Sequence, residues 1–580
     1  MKKLLVLIPL ILAMIFGFFY KHSGAITNGP ITTPIKPAPK DNSKVPKTAT
    51  NSPLVTTKID LTLEDNKLDI RLGQAYQAIY QDPFIKNLLQ EKDTHALKFS
   101  SKVSGKEIET FKFQHFYKGL EVMGSMTFYH VGKNEAKVRN VISRFDLDIN
   151  PKISADKAAA IAKSVAGNLD IIHDPILKIL PSKAKDSAKL IYFVDLSSEN
   201  LNNPGAEILI DAQTGKLIAN ISKMETLAPI QVSTAQSQGV IVSSLNRKDT
   251  TMGCLAKDLA DGTELNISQN DCNDLLQVAQ HECQILMGGS LSSSGPVSID
   301  TNFCKKVVEN NEPTSEADES SINALNNAKK VLSYYKEIHG RDSFDNKGST
   351  VINLVHAGIH FANAAWVADK NFMLYGDGDG KRMGDMTKAV DIAGHEMTHG
   401  VISHTAKLAM MGEPGALNEA YADFFGKMIA QDGTWVVGAS VSVNTTLFPG
   451  VRDLANPSSF QDFYPDQKGN PVHGPYPSKV SEKMGPTYGT VCGEQNDRCW
   501  VHHNSTIPSH ASYLVFQAIG KAKTEQLYYL TLTQFLTSQA DFQEAATATM
   551  EACSMLVNQK RMTSADCLAT KKVFSQVGML

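Results

Sequence analysis

The sequence predicts a protein of the α+β class, in which strands and helices occupy separate stretches of the chain. Alternating apolar and polar residues in Phe111–Tyr117 are typical of a half-buried strand. Ser154–Ala166 is instead rich in alanine with helical spacing, which also dominates the C-terminal part of the chain. The distribution of cysteine indicates separate modules, because the chain before Cys254 contains no cysteine, whereas all eight cysteines lie between Cys254 and Cys567.

The composition is that of a globular chain with a buried core. The 580 residues are 42% hydrophobic and 20% charged. At a prior of about 150 residues per domain, this length predicts about three or four folding units. Fifty-seven Lys and Arg residues against 60 Asp and Glu give a net charge of −3 without a long single-sign block. No nucleic-acid partner is therefore expected.

Residues 1–25 predict a secretory signal peptide. Two lysines in Met1–Lys3 precede an uncharged, mostly apolar run, Leu4–Tyr20, and then the small residues Ser23–Ala25. The alternative is an uncleaved membrane anchor, although a spanning helix needs about 20 apolar residues and this run is slightly short. We therefore expect a secreted, extracellular protein that meets the membrane only transiently at export, unless this segment is retained.

Residues 26–58 predict an extended linker, because Asn28–Pro53 contains six prolines and almost no large apolar residues. Residues 59–225 follow as a cysteine-free α+β module. Its predicted elements include a helix near Asp69–Leu89, the alternating strands, the alanine-rich helix and two further strands. These strands are Leu190–Val194 and Glu207–Ile218, the second broken by a turn at Thr214–Gly215.

Residues 226–580 form the predicted main domain. We expect a helix over Ser320–Gly340 that ends at its glycine, a strand over Gly348–Trp366 and a long helix over Thr387–Ala409. About the last seventy residues are predicted to be mostly helical. No internal repeat is visible in this domain.

All eight cysteines lie in the main domain, and an even number in an exported protein predicts four disulfides. Cys492 with Cys499, and Cys553 with Cys567, are natural local pairs. A zinc knuckle is the alternative, but no C-x-x-C pair occurs. Three connectivities stay open among the other four cysteines: Cys254, Cys272, Cys283 and Cys304.

One segment of the predicted long helix contains the pattern H-E-x-x-H, from His395 to His399. The two histidines lie one turn apart on one helix face, so both imidazoles can bind one tetrahedral metal ion. Glu396 is rotated away by one residue and can act on the attacking water instead. The alternative is that these are ordinary polar residues of an amphipathic helix.

A pair of carboxylates on the next predicted helix favours the metal site. Glu419 and Asp423 lie four residues apart amid apolar neighbours, where two carboxylates would otherwise be costly. Glu419 can be the third metal ligand, and Asp423 can orient a ligand histidine through its second ring nitrogen. Three protein ligands leave one position open, which is typical of a catalytic zinc site.

These motifs resemble those of the thermolysin-like neutral zinc metalloproteases, a secreted bacterial type made with a propeptide. Two histidines and a glutamate are the zinc ligands of thermolysin. Nineteen residues separate His399 from Glu419, which is the spacing of thermolysin-like endopeptidases, whereas zinc aminopeptidases with these ligands typically have eighteen. The resemblance implies a two-lobed catalytic domain, β-rich before the zinc helix and mainly helical after it, with the zinc cleft between the lobes.

Further positions match residues that bind substrate in this family. Asn363 and Ala364 resemble the edge strand on which the substrate is aligned as an added β-strand. Asp497 and His502 resemble an aspartate–histidine pair, in which the histidine stabilises the oxyanion. Arg452 matches the arginine that binds a substrate carbonyl, with a plain surface charge as its alternative.

The leader also shows the resemblance. Phe116–Gly119 and Asp211–Gly215 resemble the two parts of the family's inhibitory and chaperone propeptide. Residues 59–225 are therefore expected to be an inhibitory propeptide and residues 226–580 the protease. The stretch between Cys254 and Cys304 matches neither part.

The resemblance implies a secreted zinc endopeptidase made as a self-processing proenzyme. Glu396 takes a proton from the attacking water and returns it to the leaving amine. A bulky apolar residue is preferred just after the scissile bond. The alternatives are a zinc aminopeptidase or a non-catalytic secreted binding protein on a protease scaffold, which has no need of Glu396. The expected lining of the apolar pocket is Met383, Met386, Val437 and Val441.

Two features depart from the family pattern. Family enzymes usually carry a tyrosine between the zinc helix and the third ligand, but Met410, which has no donor, takes that place here. Family members often bind calcium near the active site, and Asp391 is kept. No paired calcium site is expected, because the other positions hold residues without carboxylates: Ala430, Thr434, Val436 and Ala439.

Overall fold

The computed structural model describes most of Lys67–Leu580, which forms one compact unit. The predicted signal peptide and linker lie outside the described residues. No helix among the described residues is long and apolar enough to span a membrane. The description covers residues 70–580 except 91–93, 134, 168, 183–186, 198–204, 227–239, 246, 249–257, 260–264, 267–302, 307, 310–311, 314, 316, 357–361, 369–370, 447, 466–470, 486–490 and 494–495.

The leader module is an α+β unit built around one mixed sheet. Its elements are α1 (Ile70–Gln81), α2 (Pro83–Leu88), β1 (His95–Ser104), β2 (Ile108–Tyr117), β3 (Leu120–Gly132), β4 (Ala136–Val141), α3 (Ala155–Ala166), β5 (Asp170–Ile171), β6 (Ile176–Pro181), β7 (Ala188–Ser197), β8 (Gly205–Asp211) and β9 (Leu217–Ser222). The sheet has the order β1-β2-β3-β6-β7-β8-β9, with β4 paired to β3 and β5 paired to β7. Antiparallel pairs dominate, but β3 and β6 run parallel.

The helix predicted over Asp69–Leu89 is divided in two by a cap. The Asp82 side chain accepts hydrogen bonds from the backbone N–H groups of Phe84 and Ile85, both at 3.1 Å. Pro83 then occupies the first turn of α2, where its missing N–H costs nothing. The side chain of Ser154 caps α3 in the same way, so the alanine-rich helix begins where it was predicted.

A second group of short strands surrounds a seven-stranded sheet, and all but the first of them lie in the first part of the main domain. These strands are β10 (Met224–Thr226), β11 (Val240–Leu245), β12 (Arg247–Lys248), β13 (Asp258–Leu259), β14 (Leu265–Asn266), β15 (Phe303–Lys306), β16 (Val308–Glu309), β17 (Glu312–Pro313), β18 (Val351–Val355), β19 (Ala364–Val367) and β20 (Phe372–Tyr375). The sheet has the order β10-β19-β20-β18-β11-β15-β14.

Helices dominate the second part. The helices of the main domain are α4 (Glu319–Tyr334), α5 (Val390–Ser403), α6 (Gly412–Ala430), α7 (Asp497–Ile519), α8 (Lys521–Leu530), α9 (Phe542–Asn558) and α10 (Ser564–Val577). Short ribbons between them are β21 (Val436–Val437) with β22 (Arg452–Asp453), and β23 (Gln461–Pro465) with β24 (Pro471–Pro475). A sheet-rich part followed by a mainly helical part confirms the predicted α+β class.

Two predicted elements are wrong in their extent. The strand expected over Gly348–Trp366 is two strands, β18 and β19, which both pair with β20. The helix expected over Thr387–Ala409 is the shorter α5, because side chains bond its last carbonyls: His404 Nδ1 lies 2.8 Å from the Gly400 oxygen, and Thr405 donates to Val401 at 2.7 Å.

The helices α5 and α6 approach each other closely through two glycines. A Cβ atom on Gly394 would lie 3.0 Å from the Gly426 Cα. A Cβ atom on Gly426 would lie only 2.5 Å from the Asp391 carbonyl oxygen, a distance that real side chains do not adopt. This close packing brings the H-E-x-x-H helix and the helix that carries Glu419 together.

Candidate metal centre and active site

The helix crossing brings His395, His399 and Glu419 together in the interior. All three side chains are fully buried. The two Nε2 atoms lie 3.0 Å apart, and the Glu419 oxygens lie 3.4 Å from His395 and 3.5 Å from His399. Ligands of a tetrahedral zinc ion with bonds of about 2.0–2.1 Å lie about 3.3 Å from one another, so the three groups fit zinc.

Polar partners orient the two imidazoles. The Asn418 amide donates to the Leu408 carbonyl at 3.3 Å, so its oxygen faces His399 Nδ1 at 2.9 Å. His395 Nδ1 lies 3.0 Å from an Asp423 oxygen. Both Nδ1 atoms therefore face an acceptor, and both Nε2 atoms point toward one position, as two ligands of one metal ion do.

Electrostatics favour the ligand forms that a metal needs at His399 and Glu419. At His395, burial opposes the charged ring, but the hydrogen bonds to Asp423 and Glu419 outweigh it and raise its pKa to about 10, so a metal ion that binds there would displace a proton. Burial lowers the pKa of His399 to about 4 and keeps its ring neutral at ordinary pH. Burial opposes ionisation of Glu419, but the charge of His502 and the hydrogen bond from His395 outweigh it and hold the pKa of Glu419 well below its usual range. A neutral imidazole and an ionised carboxylate are the forms that bind zinc.

The predicted orienting residue, Asp423, is fixed by a buried arginine. Arg452 donates to Asp423 through Nε at 2.7 Å and through Nη2 at 2.8 Å. The same Nη2 donates to Glu419 at 3.0 Å, and Ser509 donates to Asp423 at 3.1 Å. Arg452 is only 2% exposed, so its surface-charge alternative is wrong. Its guanidinium holds both carboxylates in place for the histidine and the metal.

Glu396 lies in the same interior, beside the triad. Its side chain is fully buried. Burial and the nearby charge of Glu396 raise the pKa of the Tyr375 hydroxyl well above its usual value, so Tyr375 stays a neutral neighbour of this carboxylate. The structure thus places the predicted base next to the predicted ligands without making it one of the three groups that face the metal position.

His502 and Asp497 form the predicted pair at the start of α7. His502 Nδ1 lies 2.5 Å from Asp497 Oδ1, and the His502 backbone N–H donates to Asp497 Oδ2 at 2.7 Å. The opposite ring nitrogen, Nε2, lies 3.6 Å from Glu419 Oε2. Burial opposes the charged ring, but the carboxylates of Glu419 and Asp497 outweigh it and raise the pKa of His502 to about 9. His502 is therefore a cationic donor beside the metal position.

The backbone that carries this pair has an unusual conformation. Four consecutive residues from Asp497 to Trp500 have positive φ values of 49°, 49°, 71° and 64°. None of them is glycine, and a left-handed conformation costs about 1–2 kcal/mol for each such residue. Cys499 in this turn forms a disulfide with Cys492. The Asn496 side chain also accepts a hydrogen bond from the Cys499 N–H at 3.0 Å.

The predicted edge strand is present as β19. Ala364 is its first residue and is buried, and the Asn363 side chain accepts a hydrogen bond from the Ala364 N–H at 3.1 Å. The edge is paired with the antiparallel strand β10, in which Thr226 lies opposite Ala365. The protein's own chain thus forms the kind of strand pairing that is expected for a substrate.

The four residues expected to line an apolar pocket are all buried: Met383, Met386, Val437 and Val441. Met383 pairs with Ser442 in an isolated bridge, which brings the two segments together. A Cβ atom on Gly438 would meet Val451, Ile392 and Met383 at 3.2, 3.4 and 3.5 Å. These apolar side chains therefore converge next to Arg452, which directly follows Val451 in the chain.

The side-chain ammonium group of Lys427 lies beside Asp391, where a calcium site like that of family members would be expected. Lys427 Nζ lies 2.9 Å from Asp391 Oδ2, 2.7 Å from Asp432 Oδ2 and 3.0 Å from the Val436 oxygen. The Asp391 carboxylate also accepts the Gly438 N–H at 2.9 Å. The lysine charge therefore offsets the retained carboxylate, which gives a physical reason to expect no calcium there.

Lys427→Met is expected to lower the free energy of unfolding by about 3–5 kcal/mol, because it leaves the buried Asp391 carboxylate without its counter-charge. The Lys427 and Asp391 side chains are 2% and 1% exposed, so solvent screens this pair little. Urea unfolding measures the effect. Lys388→Met is the control, since its exposed pair with Glu319 is worth about 0–1 kcal/mol. A wild-type melting temperature that rises with added calcium would contradict this account.

Some contributors were not found by sequence reasoning. Asn418 directly precedes the predicted ligand Glu419, and its amide fixes the tautomer of His399. Lys427 and the glycine pair of the helix crossing also carry no local signal that separates them from ordinary helix residues. Two other histidines have partners of their own: His404 Nδ1 lies 2.8 Å from the Gly400 carbonyl oxygen, and His510 Nδ1 lies 2.8 Å from the Leu454 carbonyl oxygen.

Both disulfides that were predicted as local pairs are present. Cys492 is bonded to Cys499, and Cys553 is bonded to Cys567. The second disulfide joins α9 to α10. The four cysteines whose pairing was left open lie in or beside segments whose side chains are outside the described residues.

The fold and the buried triad together define a class of protein, the zinc metallopeptidases. The chain matches the family model of the thermolysin metallopeptidase catalytic domain over residues 257–403. It matches the model of the thermolysin metallopeptidase alpha-helical domain over residues 406–579. The protein therefore belongs to the thermolysin family and is a zinc-dependent metalloendopeptidase, as the motifs predicted.

Curated relatives extend this similarity along the chain. Bacillolysin of Bacillus subtilis (strain 168) is 27% identical over 512 residues, which cover 86% of this chain and 86% of that protein. The extracellular elastase of Staphylococcus epidermidis is 28% identical over 435 residues, 70% of this chain and 79% of that protein. Neutral protease NprE of Bacillus pumilus is 33% identical over 266 residues, 46% of this chain and 79% of that protein.

Proposed function

We propose that this protein is a secreted zinc endopeptidase, made as a self-processing proenzyme with residues 59–225 as inhibitory propeptide and 226–580 as protease. The observation that carries the proposal is the convergence of His395 Nε2, His399 Nε2 and the Glu419 carboxylate within 3.5 Å of one another, with the Glu396 side chain fully buried. Secretion is supported by the predicted signal in residues 1–25 and by a relative named as an extracellular elastase.

In this proposal His395, His399 and Glu419 hold the metal. When zinc is bound, it supplies a Lewis acid that polarises the scissile carbonyl and activates the attacking water. Glu396 accepts a proton from that water and passes it to the leaving amine. His502 donates from Nε2 to the oxyanion, and Asp497 keeps its ring oriented.

The same proposal assigns the surrounding residues to binding. Asn363 and Ala364 align the substrate backbone along β19, at the edge that β10 occupies in the precursor. The apolar side chains around Met383 accept a bulky apolar residue just after the scissile bond. Arg452 holds Asp423 and Glu419, and a contact with a substrate carbonyl is a prediction for the complex with peptide.

The leader's contacts support its role as an inhibitor. The β9 residue Ala219 pairs with Cys492, and Asn220 N–H donates to the Cys492 oxygen at 3.3 Å. Met410, at the position of the family's tyrosine, packs in one buried cluster with leader residues that include Leu209 and Ala219. The leader thus covers residues that adjoin His502 and Asn418.

A chelation experiment with two peptides separates the candidate functions. We expect an internally quenched peptide with an acetylated N-terminus and an internal leucine or phenylalanine to be cut before that residue. A strong chelator should stop cleavage, and added zinc should restore it. Activity confined to the peptide with a free N-terminus would favour the aminopeptidase. No cleavage of either peptide by the zinc-loaded, processed protein would favour the binding protein.

Arg139→Ala in the leader is expected to weaken the binding of the leader to the helical part of the main domain. Arg139 donates to the Phe535 carbonyl at 2.9 Å and pairs with Glu551 at 3.1 Å, while only 6% exposed. Glu551 is 28% exposed, so solvent screens part of this pair. Loss of a hydrogen bond to a charged group costs about 1.5–3 kcal/mol, so the propeptide should bind roughly 10–10² times more weakly. A shorter lag before activity appears measures this. Lys163→Ala, which removes an exposed pair with Asp170, is the control.

A further inference from the structure

The disulfide Cys492–Cys499 closes a loop directly before the proposed oxyanion histidine. Cys499 is the third residue of the left-handed turn Asp497–Trp500, and His502 follows two residues after that turn. Asp497 begins the same turn and bonds both the ring and the backbone N–H of His502. Any change in this turn therefore changes the direction in which His502 Nε2 points.

Several contacts oppose the intrinsic backbone preference of this turn. An L-residue with a side chain prefers negative φ, and only glycine adopts positive φ without a penalty. The contacts that oppose this preference converge on the same loop: the Arg498 N–H donates to the Gly493 carbonyl at 2.8 Å, and Asn496 accepts the N–H groups of Gly493 and Cys499, both at 3.0 Å. The disulfide is the covalent member of this set.

The leader contributes a second restraint that is not covalent. In the precursor, the Cys492 backbone is paired with Ala219 of β9. If residues 59–225 leave the processed enzyme, this restraint leaves with them. The bond between Cys492 and Cys499 then remains as the covalent restraint on the left-handed turn, beside the hydrogen bonds of Asn496 and Gly493.

We propose that the Cys492–Cys499 disulfide is a positioning device for catalysis, which holds Asp497–Trp500 in the left-handed conformation that directs His502 toward the metal position. The inference rests on the proposed role of His502. It assigns to this bond an effect on turnover in addition to any effect on stability. The two cysteines are positioning residues, since neither is among the three groups that face the metal position.

The test compares two ways of removing the bond in the processed enzyme. In Cys492→Ala/Cys499→Ala, the residue at position 499 disfavours positive φ, so we expect kcat to fall at least tenfold with zinc content and KM unchanged. In Cys492→Ala/Cys499→Gly, glycine adopts the positive φ freely, so we expect most of the lost kcat to return. Cys553→Ala/Cys567→Ala removes a distant disulfide and should lower the melting temperature while kcat stays unchanged.

A second measurement asks whether the loss acts through His502. His502→Ala is introduced into the wild type and into the double-alanine enzyme. We expect a large loss of kcat in the wild type and a much smaller further loss in the double-alanine enzyme, because the histidine is already misplaced there. A loss of equal size in both would overturn the inference. No loss in the wild type would instead show that the proposed role of His502 is wrong.

The remaining outcomes also decide the question. Full kcat in the double-alanine enzyme, or no better activity with glycine than with alanine at position 499, would overturn the inference. If the double-alanine chain does not fold, the bond is opened in the wild-type enzyme with a phosphine, which becomes its oxide as the disulfide becomes two thiols. Mass spectrometry of alkylated peptides identifies the opened bond, and turnover should fall in proportion to opening at Cys492–Cys499. Unchanged turnover with that bond open would count against the proposal.

Discussion

Glu396→Gln is expected to abolish nearly all turnover while the chain folds and binds one zinc ion. Glutamine has the shape of glutamate, but its amide cannot accept and return a proton, and loss of a general acid–base costs about 10²–10⁴ in rate. The three groups that face the metal are His395, His399 and Glu419, so metal content should not change. Peptide cleavage and zinc analysis of the same sample measure both expectations.

This variant should also accumulate as unprocessed precursor if maturation is autocatalytic. Glu319→Gln is the matched control, because this glutamate is 75% exposed in α4 and pairs with an exposed lysine, Lys388. It should process and cleave as the wild type does. Maturation of purified Glu396→Gln at the wild-type rate, without added protease, would contradict both the base assignment and self-processing.

His502→Ala is expected to reduce turnover at least 10²- to 10³-fold, the usual loss for one oxyanion donor. We expect His502 to provide most of the side-chain stabilisation of the oxyanion, because Met410 occupies the position at which family enzymes usually have a tyrosine, a second hydrogen-bond donor. Met410 is buried, and its sulfur accepts from the Asn418 amide at 2.8 Å, so it offers no hydrogen bond to an oxyanion. Met410→Tyr should therefore leave activity equal or raise it.

The control for this series is His510→Ala. His510 lies on the same helix, but its ring bonds the Leu454 carbonyl, so its loss should leave kcat close to that of the wild type. Steady-state kinetics on processed enzyme separate the effects, since an oxyanion donor changes kcat more than KM. If His502→Ala kept more than about a tenth of wild-type turnover, the assignment of His502 would be wrong.

The sequence alone determined the features that depend on short chain separation. The helical period puts His395 and His399 on one face and turns Glu396 away from it, whatever the rest of the fold does. The same period predicts that Glu419 and Asp423 share a face. The two local disulfides were also predictable, because a short loop keeps its cysteines close together. These are the features that led to the family, the metal and the class of reaction.

Only the tertiary structure decided how distant segments share charge and space. Arg452 was assigned to substrate, yet the fold buries it against Asp423 and Glu419. No sequence pattern predicts that Lys427 forms an ion pair with Asp391, which lies 36 residues away in the chain. The left-handed turn before His502 was equally hidden, because four residues with side chains do not predict positive φ. A local pattern specifies which atoms a segment presents, but burial and long-range contacts determine which charge, metal or backbone those atoms meet.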